Sequence, residues 1–547
     1  MVLSGKMLNY SDWLAHDLML CLDASENDDL SIVNTVIYTV AAVVSCKEGE
    51  EFAARADMSN LRKKVARAPV WKVRIERKIQ LLRREADILK ASLDRRVRRG
   101  EAVAFLNDVM KKYLVDGSRD GIAACLFKIK NKISAMAGKI RSYELKRKAK
   151  EQNELFRKDK KRFYRSVFED SKAIADPPSC HDIREFWEER IWGDADKYGG
   201  DAEWLEELKK NYRNVKEQEW GGIQQEDISS QLAKSMNWKS PGHDGITNYW
   251  LKSLPCVHAR LARCLSRCVE HPMGLPDWVV RGKTTLLAKS ENTSKADQYR
   301  PITCLTTMWK CLTGILSDKI TNHLNSYNII AEEQQGAVKN SYGTKTQLLI
   351  NKSVVEDAIR NKKNLSMLYI DYSKAYDSVP HAWIIEILSV YKVSPIIINF
   401  LATSMLSWKT DMFLYHVDGV VVVNNVAFRR GIFQGDALSP LLFILAINPL
   451  SLLLNRRCHG YNLNGLHISH ILYMDDLKSF SSSHKHLEKM ALLIEKFSTD
   501  IGMELGLSKC KVVNLVAGRY AKLGGIVLES GGVIEEVSED GMYKYLY

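Results

Sequence analysis

The sequence contains no cysteine pair of the kind that binds zinc. Its eleven cysteines form no Cys-x-x-Cys pair, and no second Cys or His pair follows Cys264 and Cys268 at zinc-finger spacing. This pattern argues against a zinc module. It predicts buried free thiols in a reducing compartment.

Long apolar runs are also absent. The longest apolar stretch, Ser31 to Cys46, is interrupted by Asn34, Thr35 and Thr39. It is shorter than the roughly 20 residues that a membrane-spanning helix needs. We therefore predict a buried helix or a pair of strands here, and no membrane partner. The first 17 residues lack the apolar core of a signal peptide.

Positive charge is abundant but concentrated in one segment. The formal net charge is +13, yet residues 61–165 carry 33 Lys and Arg against 12 Asp and Glu. The rest of the chain is therefore net acidic. A concentrated basic segment indicates a polyanionic partner such as nucleic acid, although the solvated face of a coiled coil gives the same pattern.

Within the basic segment, apolar residues recur at roughly helical spacing between Lys and Arg. The aromatic residues Phe156, Phe163 and Tyr164 among these cations can stack on unpaired bases or pack within the protein. The apolar positions are Val73, Ile75, Ile79, Leu82, Ile88 and Leu93.

Changes in composition divide the chain into five segments. Residues 1–58 are a mainly helical region, and residues 59–170 a basic helical extension that binds nucleic acid or packs on the rest of the protein. Residues 171–230, with Pro177-Pro178 and Gly199-Gly200, indicate a linker carrying a short helix near Asp182 to Trp192. From residue 231, short apolar runs alternate with amphipathic patterns, which predicts an α+β domain. Its main part is 231–515, followed by 516–547.

Two segments of this domain end apolar runs with aspartates. Leu368, Tyr369 and Ile370 lead into Asp371, which predicts a strand that delivers a carboxylate at its end. Ile471 to Tyr473 lead to Met474, Asp475 and Asp476, which predicts a tight turn between two strands. Adjacent side chains on a strand face opposite ways, so the turn is needed for both aspartates to reach one site. Otherwise Asp475 is the ligand and Asp476 the weaker partner.

Three aspartates that meet in one cleft repel one another unless a cation is bound. Hard oxygen ligands suit Mg²⁺. Two such ions about 3.5–4 Å apart can activate an attacking hydroxyl and stabilise a leaving oxygen, which is the chemistry of nucleotide addition. An Asp-Asp pair is also common in surface turns.

The order of several motifs resembles the reverse transcriptases, in particular those of non-LTR (LINE-type) retrotransposons of the site-specific lineages with a C-terminal endonuclease. Asp371-x-x-x-Ala375-Tyr376-Asp377 and the Tyr-Met-Asp-Asp turn carry the resemblance, which covers roughly residues 231–547. Further blocks in the family's order are KSPGHDGITNYWLK, PDWVVRGKTTLLAKS with DQYRPITCLTTMWKCLTGILSDKI, EEQQGAVKNSYGTKTQ, GIFQGDALSPLLFILAINPL and GMELGLSKCK.

The resemblance implies a right-hand polymerase fold with fingers and palm, an antiparallel palm sheet and a basic helical extension before it. It implies RNA-directed DNA polymerase activity with an RNA template, a DNA primer and dNTPs. Asp371, Asp475 and Asp476 would bind two Mg²⁺ ions, for which Mn²⁺ could substitute. The element ribonucleoprotein would be found in the nucleus and the cytoplasm.

The family's other roles fall on five matching positions. Tyr376 would lie under the incoming sugar and reject a ribose, Arg300 would contact the triphosphate, and Gln434 and Gly435 would lie beside the incoming base and template. Lys509 would neutralise or protonate the leaving pyrophosphate. Other interpretations stay open: Tyr376 packs on the sheet, Arg300 makes a surface ion pair, Gln434 caps the following helix, and Lys509 has no special role.

The sequence also departs from the family. Gln335-Gly336-Ala337 lacks the aromatic residue of the family's "QxGF" block, and Gly506 stands where an Asn is usual. After Asp476 there are 71 residues, and the last residue, Tyr547, stands where the primer-grip motif has Gly. These features favour a truncated element copy, in which residues 231–515 would be fingers and palm and residues 516–547 a truncated primer-grip hairpin. The alternatives are a catalytically inactive nucleic-acid-binding remnant and, less in keeping with the Arg-Pro-Ile block, a group II intron maturase.

Overall fold

The computed structural model describes residues 5–22, 29–47, 70–94, 101–115, 118–158, 176–193, 198, 200, 202–289, 294–338, 341–416 and 419–538. The chain divides into two compact units. One contains the helices between residues 70 and 158 and is called the helical unit. The other contains the remaining described residues and is called the larger unit.

The α-helices are numbered along the chain as follows: α1 Gly5–Leu22, α2 Leu30–Lys47, α3 Val70–Leu93, α4 Glu101–Tyr113, α5 Arg119–Lys158, α6 Cys180–Arg184, α7 Glu203–Asn211, α8 Gln225–Lys234, α9 Asn248–Ser253, α10 His258–Glu270, α11 Asp277–Val280, α12 Thr307–Ser326, α13 Thr344–Arg360, α14 Ala375–Ser378, α15 His381–Val390, α16 Pro395–Leu406, α17 Ser439–Arg457 and α18 His484–Asp500. A π-helical turn, Glu185–Ile191, continues α6, and 3₁₀ turns lie at Pro255–Val257, Pro272–Gly274, Ala296–Gln298 and Leu507–Lys509.

The strands are β1 Arg281–Ala288, β2 Tyr299–Cys304, β3 Leu365–Ile370, β4 Lys409–His416, β5 Gly419–Ala427, β6 Tyr461–Leu463, β7 Leu466–Ile468, β8 His470–Tyr473, β9 Asp476–Ser481, β10 Lys511–Val516, β11 Arg519–Tyr520, β12 Ile526–Val527 and β13 Val533–Glu536.

The helical unit consists of α3, α4 and α5 around a small apolar core. Ile79 and Leu82, two of the positions predicted from helical spacing, are buried, and Leu89 joins them. The buried Glu85 carboxylate ion-pairs with Lys112 and accepts a hydrogen bond of 2.6 Å from the Tyr113 hydroxyl. The Arg and Lys side chains of α3 are mostly exposed, as a cationic face requires. The side chain of Phe156 and residues Phe163 and Tyr164 lie outside the described residues.

Two sheets organise the larger unit, which has the predicted α+β character. The first, which we call the four-stranded sheet, has the order β2-β1-β4-β5, and its central pair β1 and β4 is parallel. The second, which we call the central sheet, has the order β12-β13-β10-β3-β9-β8. There β3 is antiparallel to both β9 and β10.

The predicted antiparallel pairing is present for β10, β3, β9 and β8, but at one edge β13 runs parallel to β10. After β10 the chain returns through β11 and β12, which both run antiparallel to β10. It then reverses once more, so β13 has the direction of β10.

Helices α1 and α2 and several described residues between 180 and 230 contribute to the core of the larger unit. Val33 and Ile37 on α2 are fully buried, which decides between the predicted helix and strand pair in favour of the helix. Trp187, Trp192 and Trp204 are buried in the same core. The helix predicted near Asp182 to Trp192 is present, but these tryptophans make the segment a packed element rather than a free linker.

One described helix, α17, is long and apolar enough to cross a membrane. It contains Pro449, and 78% of its apolar window is buried inside the protein. Burial of this kind is what a core helix shows, so the length and composition of α17 are weak evidence for a membrane span.

Candidate active site

Three aspartates meet at one end of the central sheet. Strand β3 is almost completely buried, and Asp371 follows its last residue, Ile370, which pairs with Leu477 on β9. Strands β8 and β9 form a hairpin in which Tyr473 pairs with Asp476, so Asp475 lies in the turn. The predicted strand end and the predicted turn are both confirmed, and adjacent strands carry them.

Gln334, which the sequence analysis did not single out, holds the aspartate turn. Met474 has the left-handed φ of +58°, which is strained for a residue with a side chain. Its backbone N–H donates to Oε1 of the buried Gln334 at 3.0 Å. A Cβ at Gly336 would lie 2.5 Å from that same backbone nitrogen. The Gln-Gln-Gly block therefore packs directly on the aspartate turn.

The carboxylates of the cleft affect one another electrostatically. Burial, with the negative charge of Asp371 as a further cause, raises the pKa of Asp475. Burial and then the charges of Asp475 and Asp371 raise the pKa of Asp476 to about 6. The nearby ammonium of Lys509 partly offsets the rise in both pKa values. Its Nζ lies 3.1 Å from Oδ1 of Asp371. The cleft is thus an acidic site with the ammonium of Lys509 at its edge.

Asp371 also contacts the segment that carries Lys509. The backbone N–H of Gly506 donates to the Asp371 carbonyl at 2.7 Å, and the Lys509 N–H donates to the Gly506 carbonyl. A Cβ at Gly506 would lie 3.2 Å from Asp371 Oδ1. The glycine that replaces the family's usual Asn therefore leaves the space beside this carboxylate open.

The donor chemistry of the cleft suits divalent cations, because three carboxylates supply hard oxygen ligands. In the described part of the chain, however, no three His, Cys, Asp or Glu side chains lie close enough together to form a ready-made metal site. The aspartates are near enough for mutual repulsion, and an ammonium partly offsets their charge. A cation would have to draw the carboxylates together.

Tyr376 packs within the domain and borders the cleft at the same time. Its ring is stacked on Phe443, with centroids 4.9 Å apart and planes 5° apart. Burial, then the nearby charge of Asp475, raises the pKa of its hydroxyl well above the usual range. The ring is therefore held flat against α17 beside the aspartate turn.

Basic side chains lie on and beside the hairpin of β1 and β2, and the charge of Arg300 reaches the aspartates of the cleft. Arg300 is exposed on β2, and its charge contributes to lowering the pKa of Asp475. Lys289 follows β1, and its Nζ lies 3.3 Å from the carbonyl oxygen of Asp297. Lys374 donates to the same carbonyl at 2.9 Å. Sequence reasoning missed Lys289 and Lys374, because their convergence depends on the folded hairpin.

Lys374 is an unusual lysine. Its Nζ lies 4.6 Å from the ring centroid of Trp187, and its backbone has a φ of +50°. Burial, and then the charge of Lys289, lowers its pKa to about 8. Trp187 of the π-helical turn thus stabilises the Lys374 ammonium by a cation–π contact.

Gln434 and Gly435 lie in the loop before α17. This loop contacts Asp377 on one side and Thr303 of β2 on the other. The amide Nε2 of Gln434 donates to Oδ2 of Asp377 at 2.9 Å, and its backbone carbonyl accepts from the Thr303 N–H at 2.9 Å. Helix α17 begins after Leu438 without a side-chain cap, so Gln434 does not cap it. Gly435 has a φ of +131°, and a Cβ there would lie 2.4 Å from the Thr303 carbonyl oxygen. The glycine therefore permits close approach to β2.

Asp377 is the buried partner in this arrangement. It is 2% exposed, and burial raises its pKa to about 7 against the opposing charge of Lys374. The Asp-x-x-x-Ala-Tyr-Asp spacing marks its position, but nothing in the sequence indicates that Gln434 is its partner.

Comparison with known proteins agrees with these motifs. Residues 288–540 match the family described as reverse transcriptase (RNA-dependent DNA polymerase). The chain is 24% identical over 301 residues to the Pol polyprotein of the type-2 retrotransposable element R2DM of Drosophila melanogaster, which covers 55% of this chain and 27% of that protein.

Two further relatives show the same extent of similarity. An uncharacterized 149 kDa protein of transposon TX1 from Xenopus laevis is 25% identical over 354 residues, covering 62% of this chain and 26% of that protein. The Pol polyprotein of the type-1 retrotransposable element R2 from Nasonia vitripennis is 23% identical over 307 residues, with coverages of 56% and 28%. The matched part of the chain spans about a quarter of each relative. Residues 288–540 are therefore a reverse transcriptase domain, in a chain that is similar over about half its length to Pol polyproteins of non-LTR retrotransposons.

Proposed function

We propose that this chain is an RNA-directed DNA polymerase of a non-LTR retrotransposon, which adds deoxynucleotides to the 3′-hydroxyl of a DNA primer on an RNA template. The observation that carries the proposal is the meeting of Asp371, Asp475 and Asp476 at the end of two adjacent strands, with their mutual effect on pKa. The domain would have the fingers and palm of a right-hand polymerase, with the aspartates on the palm.

The three aspartates would hold two divalent cations, Mg²⁺ or Mn²⁺ in its place. When bound, such ions supply activation of the attacking hydroxyl and stabilisation of the leaving oxygen. The side chains of the chain have the remaining tasks. Arg300, whose charge reaches Asp475, would bind the triphosphate of the nucleotide, and Lys289 at the end of β1 on the same hairpin would assist it.

Tyr376 and Lys509 would act on opposite ends of the nucleotide. The ring of Tyr376 is fixed by its stack on Phe443, so it cannot easily move away from a ribose 2′-hydroxyl. Lys509 now neutralises Asp371 and would be released to the leaving pyrophosphate when cations take its place.

The test is primer extension on a primed RNA template with Mg²⁺ and dNTPs. Asp475→Asn removes one anionic ligand with little change of shape, and we expect it to abolish incorporation. Asp500→Asn is the matched control, since Asp500 accepts a hydrogen bond from Trp204 at the end of α18, outside the cleft. Unchanged incorporation by Asp475→Asn would discard the metal-ligand assignment.

A second candidate is a nucleic-acid-binding protein without polymerase activity. It is favoured by the ion pair of Lys509 with Asp371 and by the lack, among the described residues, of three acidic side chains already close enough to hold a metal. Extension at low salt with the unaltered chain separates the candidates. Mg²⁺-dependent product removes the second one, whereas RNA binding without product supports it.

A further inference from the structure

The loop that carries Gln434 is fastened to the segment that carries Tyr376. The backbone N–H of Gly431 donates to the Val379 carbonyl at 2.8 Å, and the N–H of Ile432 donates to the Tyr376 carbonyl at 2.8 Å. A Cβ at Gly431 would lie 2.6 Å from the carbonyl oxygen of Asp377. The two segments therefore touch backbone to backbone and form one rigid support.

A hydrogen bond between the side chains of Gln434 and Asp377 adds to this support. Asp377 is 2% exposed, and its Oδ2 accepts from Nε2 of the half-buried Gln434 at 2.9 Å. The two arms of a planar amide point in different directions, so the oxygen of Gln434 is turned away from Asp377. An ionised carboxylate can only accept hydrogen bonds. Because burial raises the pKa of Asp377 to about 7, its carboxyl is mainly ionised above that pH, and there the opposite amide orientation would place two acceptors against each other.

The main chain of Gln434 is fixed as well, because its carbonyl accepts from Thr303 on β2, three residues after Arg300. Gln434 thus has little freedom except rotation of its amide. The side chain lies between the support of Tyr376 and the strand of Arg300, which are the two groups proposed to contact the sugar and the triphosphate.

We propose that Asp377 is a positioning residue that holds the Gln434 amide in one orientation, so that its carbonyl oxygen faces the incoming deoxynucleotide. This inference rests on the proposed function. Asp377 itself does not touch the nucleotide and acts through Gln434. An Asn at position 377 could donate or accept, and would therefore permit both amide orientations.

The test is a double-mutant cycle with Asp377→Asn and Gln434→Met, measured as steady-state kinetics of dNTP incorporation. Loss of one hydrogen bond to a charged group corresponds to about a tenfold effect. We expect Gln434→Met, which removes the amide, to raise KM for dNTP about tenfold. We expect Asp377→Asn to raise KM by at least about twofold, because the Gln434 amide then populates both orientations, and kcat of both variants should stay within about threefold of the unaltered chain. The double variant should be no worse than Gln434→Met alone, because Asp377 acts only through the amide.

Two outcomes would overturn the proposal. One is a KM of Asp377→Asn equal to that of the unaltered chain. The other is a full additional loss when Asp377→Asn is combined with Gln434→Met, which would mean that Asp377 acts by a different route. If Asp377→Asn does not fold, Gln434→Met alone decides, since an unchanged KM shows that the amide is not used.

Equilibrium binding of dNTP in Mg²⁺ to the chain with primer and template keeps this test separate from that of the proposed function. An unaltered chain that binds dNTP but yields no product contradicts the polymerase proposal. In that case the Kd for dNTP, measured for the same single and double variants, still decides the role of Asp377. A chain that does not bind dNTP contradicts both. Asp357→Asn is the matched control, because Asp357 accepts from Lys363 and Tyr461 away from the cleft.

Discussion

Gly336 is the position where the smallest change should disturb the aspartate turn most. The Cβ of an alanine at this position would lie 2.5 Å from the backbone nitrogen of Met474 and 2.8 Å from its sulfur. The Met474 side chain can rotate away, but the nitrogen is fixed in the turn by its hydrogen bond to Gln334. Gly336→Ala must therefore move one backbone segment relative to the other.

The magnitude follows from the overlap. Restoring an ordinary contact from 2.5 Å requires a shift on the order of 1 Å. A displacement of that size at a reacting group costs roughly 100-fold in rate. The overpacking itself should reduce the free energy of unfolding by about 1–3 kcal/mol. The turn would lose its catalytic geometry before the domain loses its fold.

The assay is Mg²⁺-dependent primer extension, with denaturant unfolding measured on the same preparation. Gly221→Ala is the control, because a Cβ at Gly221 has no neighbour within 4 Å. We expect it to keep both rate and stability. A Gly336→Ala protein that extends primers within about threefold of the unaltered rate would refute the idea that this glycine positions the turn.

Three further predictions concern selectivity, pH and nucleic acid. Tyr376→Val should raise incorporation of ribonucleotides relative to deoxynucleotides at least about tenfold, since the fixed ring is lost; equal discrimination in both proteins would show that Tyr376 only packs. Burial lowers the pKa of His381 to about 4, while its ring donates to the Gly431 carbonyl at 2.8 Å. Because this folded-state pKa lies below the unfolded value of about 6.5, stability is full above that pH and falls as pH drops toward 4. His381→Gln should make urea unfolding between pH 6.5 and 4.5 less pH-dependent by roughly 2 kcal/mol, and an unchanged pH profile would contradict the assignment. Finally, RNA affinity should fall steeply with salt and weaken on deletion of residues 59–170, whereas unchanged binding after the deletion would make that segment scaffold.

The sequence predicted the parts of the site that depend on local pattern. Asp371 at the end of a strand and Asp475 in a turn could be predicted because apolar runs and turn residues are local signals. Gln334, Lys374 and the partner of Asp377 could not, since each acquires its role through a contact with residues far away in the chain.

The same distinction applies to the fold. The burial of the apolar stretch Ser31 to Cys46 and the short helix near Asp182 could be predicted, but the choice between a helix and a pair of strands for that stretch could not. The burial of Trp187 and Trp192 could not be predicted either, because Pro and Gly residues around them favour a linker while only tertiary packing shows where the indoles go. The parallel pairing of β13 with β10 was also beyond local pattern, since strand direction depends on how the connecting segments return.

The position of β1 in the middle of its sheet has a practical consequence for dividing the chain. The region matched to the reverse transcriptase family begins at residue 288, which is the last residue of β1. A recombinant fragment cut there would lose the strand that bonds to β2 on one side and β4 on the other. Both neighbours would then expose open edges that invite aggregation. A soluble fragment should keep the buried tryptophans of residues 187–204 and also the helices α1 and α2, which pack in the same core.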